Sequence, residues 1–97
     1  MKLILVVTES EALPAFERTL VTQETGFTVL PGALGYGRTG LRGGDRVHPG
    51  SSSLLFTVVP EETADATLAS LREARDAAGA RATTRLFVTA MTAADEA

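Results

Sequence analysis

Four strand-like runs and two helical stripes follow one another in the order β-α-β-β-α-β. That order predicts an α+β domain of the ferredoxin-like kind, a four-stranded antiparallel sheet with two helices on one face. Two further observations support the prediction. Residues 3–7 (Leu3-Ile4-Leu5-Val6-Val7) and 54–59 (Leu54-Leu55-Phe56-Thr57-Val58-Val59) are the most continuously apolar stretches, the signature of strands inside a sheet rather than at its edge. In this fold the first and third strands are the central ones, and these two runs hold those positions.

The first run is followed by Thr8, Glu9 and Ser10, whose side chains suit the start of a helix through capping and early negative charge. Leu13, Phe16 and Leu20 recur at helical spacing, with Glu17 and Arg18 off that stripe. Pro14 belongs in a first helical turn, so the helix is expected to begin at residues 11–13, and Gly26 marks its exit. Residues 27–34 return to strand character, Phe27 and Val29 on one face and Thr28 and Leu30 on the other. Pro31-Gly32 interrupts this strand, which places it at an edge or gives it a bulge, because proline cannot donate to a ladder. Pro60-Glu61-Glu62 opens the second helix, with two acids where the helix dipole favours them. Ala64, Leu68, Leu71, Arg75 and Ala78 trace its inner stripe, and Gly79 is the stop. Residues 86–90 form the last strand, and residues 91–97 a short acidic tail.

A length of 97 residues corresponds to one domain, residues 1–97, since single cores commonly occupy about 50–200 residues. Hydrophobic residues at 44% and charged residues at 22% are close to globular averages, which excludes disorder as the default. The net charge of −3 argues against a nucleic-acid partner held by phosphate neutralisation. There is no cysteine, so disulfides, iron–sulfur clusters and CxxC metal sites are excluded. The apolar start is too short for a secretory signal, and no stretch approaches the roughly 20 apolar residues that cross a bilayer. A cytoplasmic protein is the expectation. In a domain this small one sheet face stays open, and a partner subunit is the simplest cover for it.

Residues 35–53, GYGRTGLRGGDRVHPGSSS, stand apart from this scaffold. Six of the nine glycines lie here, with Arg38, Arg42, Arg46 and the single histidine, His48. Connections in compact domains usually take about 2–6 residues, so a loop this long points to a function. Glycine lets backbone N–H groups approach an anion, and arginine offers a planar fork of donors. By composition alone the same residues describe either an anion-binding loop or a solubilising hairpin. Gly35-Tyr36-Gly37-Arg38-Thr39-Gly40 matches GxGxxG, but a dinucleotide site needs a helix directly afterwards, and none is predicted. Tyr36 suits either stacking on a base or packing on the sheet edge. His48 has only Asp45 near it in sequence, so no metal site is predicted. Ser51-Ser52-Ser53 has ordinary loop composition. A second group of cations, Arg81 and Arg85 with Arg72 and Arg75, lies around the turn before the last strand. Convergence of the two regions would favour a polyanion. No Ser-His-acid or paired-carboxylate arrangement can be assembled, so no enzyme activity and no catalytic cofactor are expected.

At these residues the chain resembles the PII-like signalling proteins, relatives of the nitrogen regulator PII. The resemblance rests on MKLILVV at the start, Phe27-Thr28-Val29 leading to Gly35-Tyr36-Gly37-Arg38, the long loop, Val58-Val59-Pro60-Glu61, and Arg85-Leu86-Phe87-Val88. It runs in order through nearly the whole chain. It implies a homotrimer that binds a small anionic effector in clefts between subunits and regulates a protein target, such as a membrane transporter, through a flexible T-loop at about residues 37–53. It also implies ligand contacts from Thr28, Gly35, Gly37 and Arg38, with Arg85 in the place of the family's phosphate-binding lysine. Arg42, Arg46 and His48 then fall in the target-interaction loop. The chain departs from the family where Gly-Asp-Gly is replaced by Ala82-Thr83-Thr84, where Thr39 replaces a glutamine, and where the tail has no arginine. AMP, ADP, a cyclic nucleotide or bicarbonate therefore stand beside ATP as effectors. Acylphosphatases share the fold but need an arginine-bearing loop after the first strand, where this chain has Thr8-Glu9-Ser10. A CutA-like trimer, structural or responsive to a divalent metal, is the alternative of the same architecture.

Overall fold

The computed structural model describes residues 1–33, 35–37, 40–42 and 52–95. In chain order these form β1 (Lys2–Glu9), α1 (Leu13–Thr22), β2 (Thr28–Ala33), β3 (Gly35–Gly37), β4 (Gly40–Arg42), β5 (Ser52–Val59), α2 (Glu61–Ala77) and β6 (Arg85–Ala90). The main sheet has the order β2-β5-β1-β6, and every neighbouring pair is antiparallel. The two continuously apolar strands, β1 and β5, are the central ones, as the sequence predicts. Both helices pack on one face. Ile4 and Val6 of β1, Leu55 and Val59 of β5, Phe16 and Leu20 of α1, and Ala64 and Leu71 of α2 form one buried cluster. Each large member contributes about 1.5–3 kcal/mol by leaving water.

The edge position of β2 and its irregularity are both observed. Its pairing with β5 slips between Leu30 and Ala33, and Gly32 there has φ +66°. The alternation within β2 also holds, Phe27 and Val29 half-buried against the core and Thr28 and Leu30 exposed.

Four details differ from the sequence reading. Thr8 and Glu9 do not cap a helix. They complete β1, and a 3-10 turn (Ser10–Ala12) leads into α1 with no side-chain cap. The end of α1 is set by Glu24 rather than Gly26. Glu24 has φ +54°, and the N–H groups of Glu24 and Thr25 donate to the carbonyls of Val21 (3.0 Å) and Leu20 (2.9 Å), the two bonds of a Schellman stop. At the end of α2 the same pair of bonds forms around Gly79, as predicted (Gly79 to Asp76, 3.1 Å; Ala80 to Arg75, 2.9 Å). The buried stripe of α2 runs through Ala64, Thr67 and Leu71, while Ala78 is exposed. Thr67 tolerates that position because its hydroxyl donates back to the Thr63 carbonyl at 3.0 Å. Finally, Ser52 and Ser53 are not loop residues but buried members of β5.

Candidate functional site

Antiparallel pairing brings the candidate residues to one end of the sheet. There β1 finishes, β2 runs on toward β3, β5 begins, and a 3-10 turn (Arg81–Thr83) feeds β6. Ala33 pairs with Ser52, and Ser52 with Glu9. One step inward, Leu30 pairs with Leu54, Leu54 with Val7, and Val7 with Arg85. Successive side chains alternate between faces, so this inner row and the outer row Ala33–Ser52–Glu9 both belong to the face away from the helices. Thr28 stands exposed on that face opposite Phe56.

The end of the sheet is tied together by side-chain hydroxyls. Thr8 Oγ1 and Thr84 Oγ1 are 2.8 Å apart and buried, and Ser10 Oγ and Ser53 Oγ are 2.7 Å apart. Thr83 Oγ1 donates to Glu9 Oε2 and also reaches the Ala80 carbonyl at 3.3 Å. Three consecutive residues of β1 and the turn after it thus hold the first residues of β5 on one side and the turn before β6 on the other. These contacts were missed in the sequence, although they left a signal. Short hydroxyl runs stand at the end of the first strand, the start of the third and the start of the last, and antiparallel pairing brings those three termini to the same edge.

The basic residues are less convergent than their spacing in the sequence suggests. Arg75 Nε bonds Asp76 Oδ1 at 3.0 Å, and Arg81 lies 3.7 Å from Asp76 Oδ2, so both are drawn to one carboxylate. Arg85 is exposed at the first position of β6 and donates to the carbonyl of Thr84 at 3.2 Å. Gly35 and Gly37 lie in β3, which pairs with β4, where Arg42 is the last residue. What the sequence presents as one loop therefore includes a short two-stranded ribbon. Arg38, Arg46 and His48 lie outside the described residues. Among the described residues, two surface grooves lie elsewhere. One, of about 610 Å³, separates α1 from α2 and is crossed by a 2.7 Å bond from Gln23 to Ser70. The other, of about 280 Å³, is bordered by Glu9, Glu11, Pro14 and Arg18. Neither contains Thr28 or Arg85. Among the described residues, no three His, Cys, Asp or Glu side chains are grouped to hold a metal ion, and no helix is long and apolar enough to cross a membrane.

The family model for nitrogen regulatory protein P-II matches residues 1–96. The chain belongs to the P-II family. No curated protein matches it closely enough to add to that assignment. Among solved structures, a DUF3240 family protein from Shewanella baltica is similar with a TM-score of 0.73 and 15% identity, the alignment covering 99% of this chain and 94% of that one. CPII, a nitrogen regulatory PII-like protein from Thiomonas intermedia bound to ADP, AMP and bicarbonate, is similar with a TM-score of 0.67 and 19% identity over 91% of this chain and 82% of that one. A second structure of CPII, bound to ADP and bicarbonate, gives the same values. At these identities the structural matches establish the P-II fold. The family assignment agrees with the resemblance carried by the Gly-aromatic-Gly-Arg segment and the strands around it.

Proposed function

We propose that this P-II family member is a non-catalytic regulator that takes a small anionic effector in clefts between three subunits. The effector is an adenine nucleotide, a cyclic nucleotide or bicarbonate. The loop that precedes β5, from residue 37 to residue 51, then conveys the occupancy of the cleft to a protein target such as a membrane transporter. The observation that carries this reading is the arrangement of the sheet end. The Gly35–Gly37 segment, the start of β5 and the turn leading to Arg85 all leave the sheet at the same side. The ligands named for the CPII structures, ADP, AMP and bicarbonate, support the choice of effector class. Regulation requires that the ligand favour one loop state over another, typically by about 1–3 kcal/mol between coupled sites.

The roles follow from the side chains. Arg38 and Arg85 supply guanidinium forks for the anion, Gly35 and Gly37 permit close approach of backbone N–H groups, and Thr28 contacts the base. Arg42, Arg46 and His48 meet the target. Thermal denaturation with a panel of adenylates, bicarbonate and divalent metal ions tests the reading, because a bound effector stabilises by about 2.7 kcal/mol at roughly a hundredfold excess over its Kd. Stabilisation by an adenylate or bicarbonate is expected. A response to a divalent metal ion and to no anion would turn the reading to the CutA-like alternative. In calorimetry, Arg38→Ala and Arg85→Ala should each weaken the anion at least about tenfold, as loss of a charge-assisted bond implies, with the melt of the free protein unchanged. Undiminished affinity in either variant removes that arginine from the site.

A further inference from the structure

Among the described residues, Glu9 is the one carboxylate within the hydroxyl network at the sheet end, and the network fixes where it stands. Thr83 donates to its Oε2, and Ser52 faces it across the β1–β5 pairing. Arg85 stands opposite Val7, two residues back along β1, so Glu9 and Arg85 are diagonal neighbours on the same face. Such positions lie about 7–8 Å apart. They do not neutralise each other: Glu9 is engaged by Thr83, while Arg85 turns to the Thr84 carbonyl. Among the described residues, Glu11 and Arg18 share the groove that Glu9 borders near the start of α1.

We propose that Glu9 is a specificity-determining residue that limits the negative charge of the ligand, admitting a nucleoside monophosphate and holding off the triphosphate. The proposal rests on the adenylate reading given above. A terminal phosphate carries about −1.5 to −2 charge near neutral pH, and the triphosphate adds further ionised groups beyond it. At an effective dielectric of about 20 and a separation of about 10 Å, one fixed carboxylate disfavours each added negative charge by roughly tenfold. The hydrogen bond from Thr83 holds the carboxylate at this end of the sheet, so the repulsion is present before the ligand arrives. Thr83 is thereby a positioning residue for Glu9.

Calorimetric titration of AMP and ATP, in magnesium-free buffer, into the full chain and its E9Q and E9D variants tests this. Gln keeps an oxygen for Thr83 and removes the charge, so the fold should persist, which a thermal melt checks. The wild type and E9D should bind AMP more tightly than ATP. E9Q should raise the affinity for ATP relative to AMP by at least about tenfold, a factor of roughly ten for each charge that the triphosphate adds. An unchanged ratio of ATP to AMP affinity in E9Q overturns the proposal and leaves the adenylate reading intact. Binding of neither nucleotide by any of the three proteins overturns both.

Discussion

At Thr8 a hydroxyl at the end of an otherwise apolar strand meets a second hydroxyl, Thr84, 2.8 Å away and out of reach of solvent. A buried donor or acceptor left alone costs about 1–3 kcal/mol, whereas replacing both partners with apolar groups of like shape is nearly neutral. Thr8→Val is therefore expected to destabilise by about 1–3 kcal/mol. The double variant Thr8→Val with Thr84→Val should recover most of that loss. Urea denaturation of both variants checks it, and additive losses would show that the two hydroxyls do not form a pair. The sequence showed these residues but not their purpose. A threonine after Val6-Val7 reads equally as a helix cap or as the last residue of the strand, and only the cross-strand partner decides. The same holds for Ser53, whose neighbours Ser52 and Ser51 give it the look of a loop until Ser10 is found 2.7 Å from it.

At the scale of the element, the two helices end by the same hydrogen-bond pattern but with different residues in the left-handed position. Gly79 occupies it without strain in α2, and Glu24 occupies it in α1. A side chain there costs roughly 1–2 kcal/mol, part of which glycine returns as greater freedom in the unfolded chain. Glu24→Gly should raise stability by about 0.5–1 kcal/mol, read as a higher urea midpoint with an unchanged slope. Gly79 was legible in the sequence because its residue type matches its backbone, and Glu24 was not because it does not. A similar contrast separates β2 from the ribbon. Pro31-Gly32 announces a broken edge strand, and the register slip occurs there. The strands β3 and β4 hold three residues each and are rich in glycine, so propensity and alternation give no sign of them.

On the whole molecule, the face of the sheet away from the helices carries a continuous row of apolar side chains that the helices do not cover. Leu3, Leu5 and Val7 of β1 run down its middle, flanked by Leu54, Phe56 and Val58 and by Phe87, which is 54% exposed. The subunit association proposed above would bury this face. Phe87→Asp should then shift the protein from trimer to monomer in light scattering, while the helix content of the subunit is kept. A trimer of undiminished size would exclude this face from the contact. The architecture was legible because it depends on the order of elements and on two continuously apolar strands. The candidate site was legible only in outline, since Arg85 and the Gly35–Gly37 segment reach the same end of the sheet from its two opposite edge strands, and the Thr83–Glu9 contact there joins residues 74 positions apart.

The interior has one further property. Among the described residues, each polar side chain in the buried set is a threonine or serine, none carries a formal charge, and no buried side-chain nitrogen or oxygen lacks a partner. Mobile ions screen charges exposed to solvent, so the core offers them nothing to act on. Ionic strength can therefore be varied over a wide range as a probe of the surface alone. A change in effector affinity with added salt would then report guanidinium and carboxylate groups at the cleft rather than a loosened core.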